Sequence, residues 1–175
     1  MGGLTEGSTL TGIEQRESPA AVWGRRGALA ALAVFVVLGL LGVLGVHATT
    51  ATADGDGFRV SLRYASIARS GLDVPWTLTV TADQGLDKEV TLAVTGDYFD
   101  IYETQGFHPD ASASYRDADT LYLTFDTPPD GNTMVVTYDA YIQPASQQGR
   151  SGTVGVLAEG GRVVAAVDFR TRLLP

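Results

Sequence analysis

Between Gly96 and Ala118 the chain reads GDYFDIYETQGFHPDASASYRDA, and much of its chemically capable side-chain inventory falls in this one stretch. His108 is the only histidine besides His47. A histidine acts as general base only beside a nucleophile that it can reach, and no G-x-S-x-G or other nucleophile motif accompanies this one, so no catalytic residue is expected. Asp97, Asp100 and Glu103 recur at three-residue steps, and Asp117 and Asp119 lie two apart. Hard carboxylate oxygens in a loop suit calcium, but the D-x-[DN]-x-[DN]-G pattern with its closing glutamate is missing. Plain solvation of these acids is therefore expected, with no metal and no cofactor. Too few nitrogen and sulfur ligands are present for zinc.

The same stretch holds Tyr98, Phe99, Ile101 and Tyr102, at i, i+1, i+3 and i+4, followed by Phe107. This spacing suits one helical turn better than a strand. Two roles are open to such aromatics. They can cap the end of a core, as most aromatic clusters do. They can also present rigid apolar area to a partner, since aromatic side chains lose little entropy on binding. On the second role the partner-binding candidates are Tyr98, Phe99, Tyr102, Phe107 and His108, with Asp97, Asp100 and Glu103 as a negative rim.

Charge and composition narrow the classes further. The net charge of -8 argues against nucleic acid, which is held by neutralising phosphates. The absence of cysteine excludes disulfide scaffolds, thiol enzymes and thiolate metal sites.

The elements that carry these residues fall into parts. Residues 1–26 lack hydrophobic periodicity and read as a disordered tail. Residues 27–46, GALAALAVFVVLGLLGVLGV, contain no charge and no polar side chain. A helix of that length spans about 30 Å, the hydrocarbon thickness of a bilayer. Arg25 and Arg26 precede it and Asp54 and Asp56 follow, so the positive-inside rule predicts a cytoplasmic N-terminus. Trp23 stands where an interfacial anchor would. Ala51-Thr52-Ala53 has the small-x-small form of a signal-peptidase site, but the apolar run is longer than in cleaved signals, so a retained signal-anchor is expected. The arginine pair matches a twin-arginine signal poorly. Gly39, Gly42 and Gly45 make a narrow small-residue stripe without the four-residue step of the helix-dimer motif. Residues 47–57, HATTATADGDG, read as a tether.

From residue 58 to 175 the dominant period is two. Phe58, Val60, Leu62 and Tyr64 alternate with polar residues, as do Trp76, Leu78 and Val80, and later Leu121, Leu123 and Phe125. Met134 to Ile142 and Val163 to Phe169 continue the pattern, which belongs to half-buried antiparallel strands. The expected core contains Trp76, Leu78, Val80, Leu123, Val136, Tyr138, Val156, Val167 and Phe169. Turn residues separate the runs, and Glu159-Gly160-Gly161 predicts a hairpin between about Thr153 and Arg172. Many short strands without a helix predict an all-β, immunoglobulin-like antiparallel sandwich behind one transmembrane helix. A small barrel fits the same strand count.

Eleven arginines stand against the single Lys88, amid abundant Ala, Gly and Val. With its short tail, single anchor and small outer domain, the chain resembles uncharacterised actinobacterial single-pass membrane proteins with an extracytoplasmic β-sandwich. The resemblance is one of architecture, spans the whole chain and implies no activity. The function expected is a non-catalytic, membrane-anchored interaction module or accessory subunit, whose partners are the bilayer and another membrane or envelope protein. The alternative is an extracytoplasmic sensor or carrier of a small ligand, glycan or cation. Thermal stabilisation by a ligand would separate the two.

Overall fold

A computed structural model describes residues 18–42, 45–103, 106–129, 131–158 and 160–174. The chain divides into two units, one on each side of the Leu44–Gly45 bond. Of the expected tail, residues 1–17 lie outside the described residues, and the remainder is mostly helical rather than disordered.

The first unit contains α1, Pro19–Leu40. It begins and ends earlier than the apolar run alone predicts, because its ends are set by local chemistry. Ser18 is the N-cap, its side chain accepting from the Ala21 amide, and Pro19 supplies the fixed φ favoured in the first turn. At the other end Gly42 adopts φ +71°, and its amide bonds the carbonyl of Gly39. None of the residues of α1 is buried. The helix is long and apolar enough to cross a membrane.

The second unit is built almost wholly of strands: β1 His47–Gly55, β2 Phe58–Arg69, β3 Asp73–Val74, β4 Trp76–Ala82 and β5 Glu89–Thr95. A 3₁₀ turn, Gly96–Ile101, follows. Then come β6 Phe107–His108, β7 Ala113–Asp117, β8 Thr120–Asp126, β9 Thr133–Tyr138 and β10 Ala140–Tyr141. The last are β11 Ser151–Leu157, β12 Val163–Arg170 and β13 Arg172–Leu174. One sheet has the order β1-β2-β4-β9-β6, with β13 parallel to the end of β2, and a second has the order β12-β11-β5-β8-β7. The remaining ladders are antiparallel. Among the described residues no ladder joins the two large sheets.

Both sheets supply one continuous apolar cluster. Every expected core residue belongs to it, with Trp76 only 1% exposed. The partners of this set in strand phase, Thr77 and Thr79, are half-buried on the other face. The predicted hairpin is present, with Ser151 opposite Arg170 and Val154 opposite Val167.

One segment differs from its sequence reading. Residues 47–57 are not a tether: His47–Gly55 pairs with β2, from Ala48 opposite Ala65 to Gly55 opposite Phe58. Ala51 and Ala53 oppose Leu62 and Val60 and turn partly inward, while Thr50 and Thr52 face out. Asp56 and Gly57 both have positive φ, 48° and 77°, the two-residue turn whose twist matches a hairpin. Gly55 is required for a second reason. A Cβ there would lie 2.1 Å from the carbonyl oxygen of Val164, so β1 approaches β12 closer than any side chain allows.

Candidate functional site

The aromatic stretch takes its geometry from the 3₁₀ turn. In such a turn side chains three apart eclipse each other. Tyr98 and Ile101 therefore share the inward face and are buried. Asp97 and Asp100 share the other face, and exposed Glu103 follows at the same step. The three-residue recurrence of acids is thus the solvent side of a 3₁₀ turn. Among the described residues no three His, Asp or Glu side chains gather as a metal ion would need. Asp97 is instead bound to Arg116, Nη2 to Oδ1 2.7 Å, with both side chains about half exposed. Arg116 lies over Gly96, where a Cβ would meet its guanidinium at 2.6 Å.

Of the partner-binding candidates, Tyr98 is 0% and Tyr102 3% exposed, while Phe99 and Phe107 are half-buried against the core. This corrects the reading of the four as a contact surface. Their rings close the end of the core as a mostly edge-to-face cluster. Tyr98 meets Phe169 at 4.5 Å, Phe99 meets Tyr138 at 4.9 Å, and Phe107 meets Tyr138 at 4.8 Å. Trp76 sits 5.7 Å from Phe99 and 6.0 Å from Phe107. Its buried Nε1 has no hydrogen-bond partner among the described residues.

The two buried phenols are satisfied by a directed chain. Thr171 donates its single hydroxyl proton to the carbonyl of Ala65, at 2.6 Å. It can then only accept from the Tyr98 hydroxyl, 2.8 Å away. Tyr98 in turn accepts from the Tyr102 hydroxyl at 2.7 Å. Burial raises the pKa of both tyrosines, with the adjoining Tyr102 adding to the effect at Tyr98. These groups stay protonated through the physiological range and serve the fold.

The charged candidates stay outside. Asp100 and Glu103 are exposed. His108 is 61% exposed and faces Asp139, Nε2 to Oδ2 3.1 Å, and its carbonyl accepts from the hydroxyl of Thr137, its partner across the strand pair. The eight residues are thus neighbours in sequence but divide into an inward aromatic set and an outward polar set. Sequence reasoning did not foresee Thr171, which closes the hydroxyl chain across 106 residues to Ala65. The signal available was a threonine in place of the apolar residue that strand phase leads one to expect between Phe169 and Leu173.

Taken together, fold and site define a β-rich domain behind an apolar helix, with the buried hydroxyls of Tyr98, Tyr102 and Thr171 engaged in structure. No protein-family model matches the sequence, and no curated protein is significantly similar to it.

Proposed function

We propose that this chain is a single-pass membrane protein whose N-terminus is cytoplasmic and whose β domain, an immunoglobulin-like sandwich, works outside as a non-catalytic interaction module or accessory subunit. The observation that carries the reading is α1: apolar, unburied along its whole length, and separated from the first strand only by residues 41–46. A helix of that kind leaves water for lipid, where exposed apolar side chains cost nothing.

The position of β1 supports retention of the anchor. The small-x-small triplet Ala51-Thr52-Ala53 lies in the middle of that strand, so cleavage after it would strip His47 to Ala53 from β2. Two mainly antiparallel sheets over one core, with a buried tryptophan in it, support the sandwich reading. Because Tyr98 and Tyr102 point inward, a protein partner is met through the outward strand faces and exposed loops.

Protease treatment of intact spheroplasts tests the reading. The β domain should be attacked or released, the first residues should be spared, and alkaline carbonate should leave the full chain in the membrane. A mature soluble protein starting at Asp54, or a protected β domain, would overturn it.

A further inference from the structure

The edge of a sheet carries a row of amides and carbonyls that only another extended strand can pair in full, so folds cover or blunt their edges. Here β1 and β12 lie against each other at Gly55 and Val164, and β9 carries β6 along its outer side. β7 is different. It ends the order β12-β11-β5-β8-β7, and among the described residues it pairs with β8 alone. All five of its residues, Ala113–Asp117, are exposed. Its ladder runs without a register shift from Ala113 opposite Thr124 to Asp117 opposite Thr120. The strand ASYRD therefore has no proline, lysine or bulge, the devices that discourage a further strand.

One side chain on this edge narrows what could pair with it. Tyr115 is 59% exposed and stands directly opposite Tyr122, their rings stacked 4.6 Å apart and 8° from parallel. Because the two rings belong to neighbouring strands, the stack runs across the sheet, and the second face of Tyr115 looks beyond the edge. Its spacing is close to that of adjacent strands, about 4.8 Å. A strand added to β7 would bring the residue opposite Tyr115 into the next place of the stack, where a flat ring fits best. Arg116, which alternates with Tyr115 to the other side of the strand, is held by Asp97 at 2.7 Å.

We propose that β7 pairs antiparallel with β7 of a second copy of this chain, about a two-fold axis through Tyr115. The same short strand then supplies both requirements, the free edge and the ring, as an isologous contact demands. In this register Tyr115 meets the partner's Tyr115, Ser114 faces the partner's Arg116, and Ala113 faces the partner's Asp117. No like charges are opposed. An axis through Arg116 or Asp117 would set like charges directly opposite each other, which is destabilising, and an axis through Ser114 would put the tyrosines out of step. The edge itself is neutral, with one cation and one anion, although the chain carries a net charge of -8. Repulsion between the remaining acids is screened beyond about 8 Å at physiological salt. A five-residue edge buries less than the roughly 800 Å² per partner of a stable interface in solution. Confinement of both copies to one bilayer raises their effective concentration and offsets that shortfall. To that extent the proposal rests on the reading of α1 as a retained anchor.

Cysteine cross-linking of the full chain tests the register, since the chain has no cysteine of its own. Chains with Ala113→Cys and chains with Asp117→Cys are reconstituted in phosphatidylcholine vesicles, separately and together, and mildly oxidised. The register sets position 113 about 5 Å from the partner's position 117 between Cα atoms, within disulfide range. Two copies of position 113, or of position 117, stand about 14 Å apart. The mixed sample should therefore give covalent dimer severalfold above either variant alone. Y115K added to both chains puts like charges on the axis and should cut that yield severalfold, with the melting temperature nearly unchanged, while Y115F should keep it. No excess of dimer in the mixed sample, or a yield indifferent to Y115K, would overturn the self-pairing and leave the anchor intact. A chain that alkaline carbonate strips from the vesicles would overturn the anchor and the pairing together.

Discussion

Two regions of the β domain invite opposite readings and exchange roles in the fold. Residues 47–55 are small, polar and low in hydrophobicity, yet they form a nine-residue strand in register with β2. Residues 96–107 look like a functional loop, aromatic and acidic, yet their tyrosines are among the least exposed side chains of the molecule. Small residues are strand-competent where the neighbour demands close approach, as Gly55 does against Val164. Aromatic residues beyond the end of a strand are drawn inward, because burying one ring removes far more surface from water than burying several alanines. Hydrophobicity thus reports how strongly a segment is held, and less well whether it is ordered.

The sharpest way to break this comparison is at the aromatic end. Replacing Tyr98 and Tyr102 together with serine removes two buried rings and the hydroxyl chain. Large-to-small changes of this type cost about 3–5 kcal/mol each, so the loss exceeds about 5 kcal/mol and approaches the whole stability of an ordinary domain. Urea unfolding should show a missing or strongly shifted transition. A stable double variant would return the loop to the surface.

Alkali gives the next largest effect. The unfolded chain releases tyrosine protons from about pH 10, whereas the folded domain, with both pKa values raised, keeps them. Stability is therefore complete below that pH and is lost as pH rises, with a limiting slope of about 2.7 kcal/mol per pH unit for two groups. Urea midpoints from about pH 8 to about pH 11 would measure it. Tyr98→Phe should roughly halve the slope.

In the other region, Gly55→Ala sharpens the contrast. Elsewhere in a chain this change often stabilises by restricting the unfolded state. Here the added Cβ meets a backbone oxygen, and the cost should be about 2 kcal/mol, as for overpacked sites. A neutral result by thermal melting would mean that β1 does not approach β12. At the small end, Thr79→Ala on the outward face of β4 should cost less than about 0.5 kcal/mol, while Leu123→Ala in the core costs about 2–4 kcal/mol.

These regions also mark what the sequence could disclose. The runs at Trp76–Ala82, Glu89–Thr95, Thr120–Asp126 and Val163–Arg170 alternate strongly enough to give strand, phase and core residues directly. So does the hairpin around Gly160-Gly161. β1 was legible through its turn, since Asp56-Gly57 is a strong short-range hairpin signal, but the low hydrophobicity of HATTATADG hid the strand before it. The direction in which Tyr98 and Tyr102 face was not legible, because it depends on the 3₁₀ geometry and on Thr171, distant in sequence.

The pairing of β13 with the end of β2 has a consequence for how the chain reaches its fold. Arg172 to Leu174 complete the sheet beside Ile67 to Arg69, and Thr171 seals Ala65 behind them. The first strands are thus finished only by residues that follow them by about a hundred positions. A nascent chain lacking them exposes the edge of β2 and leaves Tyr98 without its acceptor. Contacts of such long sequence separation form late and slowly. The early strands therefore complete their tertiary structure only once that distant segment has joined them.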